Sequence, residues 1–255
     1  MQKARPVQEL LDCAMNKIIA RVWECAYERV NGVYAVRRKA RLGEDTRDQL
    51  QLYCVAFDSD PPPLIELLEP ARFHEARSVI LIGNCWEPTI RLLRVEGFDQ
   101  DWETEIYVTQ SSSSSTASMS PHLPNGMRFE DVTKAEIAIA NSFCEDFGIS
   151  ESSVLDSSFI SKLLFSHDTC VGKIQLILCP PWGVFCTLVA VREGHRRRGY
   201  FTLMMKAAEA WALEQALSRL ALFSGAYANE ISLYARRAYI PIGRYTIMKR
   251  RAAEQ

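Results

Sequence analysis

The sequence lacks the patterns that mark several large classes of protein. Its formal net charge at pH 7 is only −1, so the chain as a whole has no long-range attraction for nucleic acid or for an anionic membrane. It has no apolar run long enough to span a bilayer. Residues 1–16 include Glu9 and Asp12 and no sustained apolar region, which argues against a signal peptide. We therefore expect a cytoplasmic protein that binds neither membranes nor nucleic acid.

Closely spaced metal ligands are missing as well. The eight cysteines contain no C-x-x-C motif, and the four histidines are dispersed, whereas a structural zinc site needs such ligands near one another. Most of the cysteines lie inside apolar segments, which predicts small core side chains in a reducing compartment and no metal site. The cysteines are Cys13, Cys25, Cys54, Cys85, Cys144, Cys170, Cys179 and Cys186.

The sequence does have enough apolar residues for a core, and it has one clear interruption. Apolar residues make up 48% and charged residues 24% of the chain, which is ordinary for a globular protein. The segment Gln110–Asn125 contains seven serines and two prolines, and such a segment cannot bury apolar area. We interpret residues 111–125 as a linker between one domain at 1–110 and a second at 126–255.

Hydrophobic periodicity predicts alternating strands and helices after the linker. Thr133 and Glu136 form a candidate capping box at the start of the first helix. This alternation predicts an α/β fold, a mixed twisted sheet with flanking helices. Strands are predicted at 127–132, 162–165, 170–179, 182–191, 220–223 and 243–250, and helices from 133, at 154–164, at 202–218 and at 229–238. In the helix at 202–218, the predicted buried stripe consists of Leu203, Ala207, Ala210, Trp211, Leu213 and Leu217.

A weak internal repeat suggests two related domains. Short apolar motifs recur at offsets of 142, 141 and 141 residues. In the N-terminal copy, Asp58-Ser59-Asp60 stands where the later copy has arginines and a glycine, and an acidic turn would repel a phosphate. The aligned pairs are Gly83 with Gly225, Phe98 with Tyr239 and Ile106 with Ile247.

The loop at 192–199 is where spacing and residue type together indicate a chemistry. A predicted strand ends at Val191, the loop follows with three arginines and Gly199, and a predicted helix comes next. The start of a helix attracts anions, because its first N–H groups have no intrahelical acceptor and the helix dipole is positive there. Arginines add charged donors, and glycine allows close approach of the backbone. The pattern favours a site for a phosphate-bearing ligand over a merely solvated basic turn.

These residues resemble the GCN5-related N-acetyltransferase family. Its signature loop, R/Q-x-x-G-x-G/A after an apolar V-x-V strand end, is matched by Val189–Val191, Arg196 and Gly199, while Phe201 departs from the sixth position. A second family motif, a tyrosine on a helix before a Gly-Phe-like pair, is matched by Leu233–Tyr239, with Tyr234 as the tyrosine. The resemblance covers roughly residues 127–250.

The resemblance implies an acyl-CoA N-acyltransferase fold with two related domains, the first a degenerate copy. It implies that acetyl-CoA, or another acyl-CoA, donates its acyl group directly to an amine in a ternary complex, and that Tyr234 protonates the departing thiolate. The amine would belong to a small molecule or a peptide, and the chain would be a monomer or homodimer with one active site. The residues expected to bind the co-substrate are Val189, Ala190, Val191, Arg196, Arg197, Arg198, Gly199, Tyr200, Phe201 and Asn229.

Two other functions are compatible with the same residues. The chain could be a non-catalytic acyl-CoA sensor or interaction protein, since one copy of the repeat already lacks the anion loop. The arginine loop and the basic tail Lys249–Arg251 could instead bind nucleic acid or protein, although the near-zero net charge argues against nucleic acid.

Overall fold

The computed structural model describes residues 5–22, 25, 27–30, 33–38, 49–57, 70–110, 123–143, 149–217, 219–223, 234 and 239–251. The chain forms two compact units, each built from separate stretches of sequence. The first unit contains residues 1–12, 24–107 and 223–255, and the second contains residues 13–23 and 108–222. The boundary expected at 111–125 stays a prediction, because residues 111–122 lie outside the described part of the chain.

Strands and helices alternate along the described chain. The strands are β1 (Tyr27–Val30), β2 (Val33–Arg38), β3 (Gln49–Ala56), β4 (Ala76–Gly83), β5 (Phe98–Gln110), β6 (Met127–Asp131), β7 (Phe159–Ser166), β8 (Thr169–Cys179), β9 (Gly183–Val191), β10 (Arg219–Phe223) and β11 (Ile240–Arg250). The α-helices are α1 (Arg5–Lys17), α2 (Pro70–Glu75), α3 (Glu87–Val95), α4 (Ile137–Asn141), α5 (Glu151–Leu155) and α6 (Tyr200–Glu214). A π-helical turn (Ile18–Val22) follows α1, and short 3₁₀ turns (Lys134–Glu136 and Glu193–His195) precede α4 and α6.

The first unit has a mixed sheet in the order β1-β2-β3-β4-β11-β5. Strands β3 and β4 are parallel, with pairing from Leu50 and Ala76 to Ala56 and Gly83. Strand β11 pairs antiparallel with β4, although in the chain it follows the residues of the second unit. One face of this sheet is covered by an apolar core that includes Phe73, Leu93 and Phe98, all at most 2% exposed.

Arg250 holds the end of β11 in the first unit. Its guanidinium donates hydrogen bonds to three carbonyl oxygens, those of Phe73 (3.0 Å), Ala76 (3.0 Å) and Glu96 (3.3 Å). It also lies over the ring of Phe98, 4.3 Å from the centroid. One side chain therefore joins β11 to the ends of α2 and α3 and to the start of β4.

The second unit also has a mixed sheet, in the order β10-β9-β8-β7-β6. Strands β9 and β10 are parallel, and the other pairs are antiparallel. Helix α6 packs on this sheet, where a side chain on Gly172 of β8 would come within 2.9 Å of the Met204 sulfur. Both units thus contain a parallel strand pair within a mixed sheet flanked by helices, as the fold class predicted.

Two details of the predicted elements are wrong. The helix predicted at 154–164 ends at Leu155, because the Asp156 carboxylate accepts hydrogen bonds from the Ser158 N–H (2.9 Å) and hydroxyl (2.7 Å) and turns the chain into β7.

In α6 the buried residues are Met204, Met205, Ala207, Ala208 and Ala212, so only Ala207 of the expected stripe within that helix is fully buried. Helix α6 is apolar on most of its circumference, and its sequence periodicity therefore does not determine which face is buried.

No helix among the described residues combines the length and apolar character needed to cross a bilayer.

Candidate functional site

The strand end expected to bind the ligand is an incompletely paired edge. Strand β9 pairs with β8 as far as Val191, but the described pairs between β9 and β10 stop at Cys186. The last four residues of β9, from Leu188 to Val191, are only partly buried, whereas the five residues before them are all buried. Within the described part of the chain, the β10 side of β9 is therefore open over the length of the expected site.

A bulge in β9 determines which backbone groups face this open edge. Leu176 pairs with Cys186, but its neighbour Gln175 pairs with Leu188, so Thr187 is an extra residue in β9. Beyond the bulge, the Arg192 N–H donates to the Val171 carbonyl of β8 at 2.9 Å.

Successive N–H groups of a strand point to opposite sides. Because the Arg192 N–H points toward β8, the N–H groups of Val189 and Val191 point away from β8, toward the open edge. The N–H of Ala190 points toward β8. The sequence placed Val189, Ala190 and Val191 in one set of candidate binding residues. In the structure, the N–H group of Ala190 faces the opposite side from those of the two valines.

The arginine loop follows directly at the end of the same strand. A 3₁₀ turn spans Glu193–His195, and the Arg196 N–H donates to the Glu193 carbonyl at 3.1 Å. Arg196, Arg197 and Arg198 are all exposed, so the three guanidinium groups are accessible to an anion from solvent. Arg197 adopts the left-handed conformation with φ of 64°, an unusual conformation for a residue with a side chain.

Gly199 connects this loop to helix α6. It has φ of 81° and is the N-terminal cap of the helix, whose first residue is Tyr200. A Cβ atom on Gly199 would meet no other atom within 4 Å, so the space in front of the helix is open. The first hydrogen bond of the helix runs from the Leu203 N–H to the Gly199 carbonyl at 3.0 Å. The start of a 15-residue helix thus faces accessible space beside three arginines, as an anion site requires.

A pocket of about 240 Å³ lies at this helix start. Its wall contains two cationic side chains, Arg198 and Lys206, together with apolar surface. Lys206 is not among the residues expected from the sequence, although it lies two helical turns after the loop on the face of Thr202 and that spacing would have indicated it. The lining residues are Pro124, Met127, Arg198, Gly199, Tyr200, Thr202, Leu203 and Lys206.

Two side chains of the loop region differ in how their polar atoms are satisfied. The Tyr200 hydroxyl donates to the Ser166 hydroxyl at 3.4 Å, which fixes the ring beside the pocket. Among the described residues, His195 Nδ1 is buried without a hydrogen-bond partner. A buried polar atom in this condition is rare in folded proteins.

Tyr234 belongs to the first unit. Its side chain is 5% exposed and packs against two other tyrosines, with ring centroids 5.3 Å from Tyr107 and 5.8 Å from Tyr239. Burial, together with a hydrogen bond to Glu105, raises the pKa of Tyr107 to about 12. Asn229, also expected at the site, lies outside the described residues.

The described part of the chain contains no cluster of three or more side chains that could hold a metal ion.

Comparison with known proteins gives one family and one fold. Residues 133–239 match the model of the acetyltransferase (GNAT) family. No curated protein matches the sequence of this chain.

Several solved structures share the fold at low sequence identity. A GCN5-related N-acetyltransferase from Kribbella flavida is 15% identical with a TM-score of 0.63, and the match covers 97% of this chain and 96% of that one. One from Sphaerobacter thermophilus is 15% identical with a TM-score of 0.59, covering 88% of this chain and 79% of that one. A tandem GNAT protein from the clavulanic acid biosynthesis pathway is 10% identical with a TM-score of 0.60, covering 100% and 96%.

At such identities the likeness concerns the fold alone, and it agrees with the mixed sheets and flanking helices described above. The family match includes β9, the arginine loop and the start of α6, which are the elements that form the site. The site therefore lies within the part of the chain, residues 133–239, that matches the acetyltransferase (GNAT) family model.

Proposed function

We propose that this chain is an N-acyltransferase that uses acetyl-CoA, or another acyl-CoA, to acylate an amine. The observation that carries the proposal is the arrangement at the end of β9. Backbone N–H groups there point to a strand edge that no described residue pairs with, and the same strand leads into three exposed arginines and a helix start. This arrangement offers donors for a thioester carbonyl and for a pyrophosphate along one continuous stretch of chain.

The loop and the helix start supply the binding energy in this proposal. Arg196, Arg197 and Arg198 provide charged donors, and Gly199 leaves room for phosphate oxygens to approach the helix start. Charge-assisted hydrogen bonds to phosphate contribute more than neutral ones. Tyr200, Phe201 and Asn229 complete the proposed set of co-substrate contacts.

The strand end supplies stabilisation of the reacting carbonyl. The N–H of Val189 or Val191 donates to the thioester oxygen, and the same donor stabilises the negative charge that this oxygen acquires when the amine attacks. Holding the amine beside the thioester supplies much of the remaining rate acceleration. Tyr234 is proposed to give its proton to the departing thiolate.

Direct attack is favoured over an acyl-enzyme because no suitable thiolate is present on this strand. Cys186, the cysteine of β9, is 4% exposed. Burial raises the pKa of its thiol to about 12, so the nucleophilic thiolate form is scarce at neutral pH.

The proposal includes one acyl-CoA site per chain. In the first unit, the parallel strands β3 and β4 stay paired to Ala56 and Gly83. A Cβ atom on Gly83 would come within 1.6 Å of the Ala56 carbonyl oxygen, so the ends of these strands are in contact and leave no open edge between them. This supports the hypothesis of a degenerate N-terminal copy. The acceptor is proposed to be a small-molecule or peptide amine, and the chain a monomer or homodimer.

Calorimetric titration with acetyl-CoA tests the proposal. We expect one molecule bound per chain and release of free CoA with at least one member of an amine panel. Arg196→Ala and Gly199→Asp should each weaken acetyl-CoA binding at least about tenfold, which corresponds to about 1.4 kcal/mol. Arg91→Ala, which removes the same charge from an exposed position on α3, is the control and should bind normally.

Two results would contradict the proposal in different ways. Equal binding by the wild type and Arg196→Ala, or no binding by either, would rule out the arginine loop as an acyl-CoA site. Tight binding without CoA release over the whole amine panel would instead favour the non-catalytic sensor.

A further inference from the structure

The bulge in β9 is accompanied by a buried polar network. The Thr187 hydroxyl donates to the side-chain oxygen of Gln175 at 3.0 Å and lies 3.2 Å from its backbone oxygen. The Gln175 amide nitrogen in turn donates to the Ser161 hydroxyl at 3.3 Å. Gln175 is 0% exposed, and Thr187 and Ser161 are each 8% exposed. The network therefore links the centres of β7, β8 and β9 away from solvent.

The backbone direction reverses at Thr187. The Leu178 N–H donates to the Ser158 carbonyl at 2.7 Å, on the β7 side of β8. The neighbouring Ile177 therefore faces β9, where its partner is Phe185. Phe185 before the bulge and Arg192 after it thus both direct their N–H groups toward β8.

These two residues are seven positions apart, and strict alternation would make them point in opposite directions. The extra residue at Thr187 accounts for the difference. Without the bulge, the alternation that begins at Phe185 would continue, and the N–H groups of Val189 and Val191 would point at β8. With the bulge, they point at the open edge.

We infer that Thr187 and Gln175 are positioning residues that hold this bulge and thereby aim the Val189 and Val191 N–H groups at the acyl donor. The inference rests on the proposed function for its catalytic consequence, although its structural part does not. Thr187 contributes a hydroxyl that the bulged backbone places against Gln175. Gln175 is fully buried, so the loss of that hydroxyl leaves its amide oxygen with one donor fewer and no access to water. The bulged strand is then less stable relative to a regular strand without the bulge.

Thr187→Val tests the inference because valine keeps the shape of threonine and lacks the hydroxyl. Thr187→Ser keeps the hydroxyl and is the matched control. With acetyl-CoA and amine both saturating, we expect kcat to fall at least about tenfold in Thr187→Val and to stay within about twofold of the wild type in Thr187→Ser. The KM for the amine should change little in either variant. Equal kcat values in the wild type and Thr187→Val would overturn the inference.

Amide hydrogen exchange, followed by NMR, provides a test that needs no activity. In the wild type, the Ala190 and Arg192 amides should exchange at least about tenfold more slowly than those of Val189 and Val191. Thr187→Val should reduce or invert this difference, and Thr187→Ser should keep it. An unchanged exchange pattern in Thr187→Val would show that the hydroxyl does not hold the bulge.

The two proposals fail separately. A wild-type protein that does not bind acetyl-CoA but shows the alternating exchange pattern would overturn the proposed function and leave the positioning of the bulge intact. Acetyl-CoA turnover that is insensitive to Thr187→Val would overturn the positioning role of Thr187 and leave the proposed function intact.

Discussion

Tyr234 is packed between the rings of Tyr107 and Tyr239. Replacing its hydroxyl with hydrogen should therefore preserve this ring packing and remove the proposed proton donor. We expect Tyr234→Phe to lower kcat by about 10²-fold or more, the usual effect of removing a general acid. The affinity for acetyl-CoA should stay nearly unchanged. Steady-state kinetics combined with calorimetric titration measures both quantities.

Tyr107→Phe is the matched control, since it removes a neighbouring hydroxyl that is bonded to Glu105. This variant should keep turnover within about twofold of the wild type. Full turnover by Tyr234→Phe with both substrates saturating would exclude Tyr234 as the acid.

At the residue scale, residue type and order led to a candidate site but did not give its geometry. The arginines and Gly199 were identified from residue type and order, because anion binding at a helix start depends on local features. The separation of Val189 and Val191 from Ala190 was not predictable. It depends on one extra residue in β9, and the polar partner of that residue, Gln175, lies on another strand.

The 3₁₀ turn Lys134–Glu136, which precedes α4, shows an element whose local signal agrees with the structure. The expected capping box is present: the Glu136 carboxylate accepts hydrogen bonds from the Thr133 hydroxyl and, at 2.9 Å, from the Thr133 N–H. These donors hold the pKa of Glu136 below its ordinary value of 4.5.

The stabilising effect of this cap should depend on pH. Because the pKa of Glu136 is lower in the folded state, the stabilisation is fully present above the ordinary pKa and is lost as the pH falls through the folded value. An NMR titration of the Glu136 carboxyl carbon should give a midpoint below 4.5, and Thr133→Val should move that midpoint upward. Identical midpoints in the two proteins would mean that Thr133 does not stabilise the carboxylate.

Other elements were predicted less well because the deciding contacts are not local. The strands β8, β9, β10 and β11 were placed within about three residues of their observed bounds. The helix predicted at 154–164 failed, since the turn made by Asp156 and Ser158 outweighs the apolar pattern after it. Periodicity indicates which elements exist, whereas side-chain hydrogen bonds determine where they end.

At the scale of the whole molecule, the first unit depends on a strand from the end of the described chain. Without β11, strand β4 would lose its antiparallel partner over Ser78–Gly83, and the three hydrogen bonds of Arg250 would be lost. We expect a fragment of residues 1–110 to show no cooperative thermal unfolding. Joining residues 239–251 to it through a flexible glycine-serine linker should restore a cooperative transition.

Calorimetry of the two fragments, with Arg250→Ala in the linked one as a control, measures this dependence. Arg250→Ala should lower the transition temperature of the linked fragment, because the Arg250 side chain bonds three carbonyls and covers Phe98. Cooperative unfolding of the unlinked fragment at the same temperature as the linked one would contradict the expectation.

The α/β class and the mixed sheets were predictable from the alternation of elements, but the pairing of β11 was not. Its residues have the same apolar pattern whichever strand they pair with. The register with β4, from Arg244 opposite Gly83 to Lys249 opposite Ser78, places it in the sheet of the first unit.

The position of β11 also affects the order of events during synthesis. Strands β1 to β5 have been translated once the ribosome reaches Gln110, yet the strand that lies between β4 and β5 is complete only at Arg250. At roughly 5–20 residues per second, those 140 residues require about 7–28 s. During that interval β4 exposes an unpaired apolar edge on the nascent chain, so the first unit would complete its sheet only after the second has been synthesised, and its yield in the cell would depend on protection of that edge.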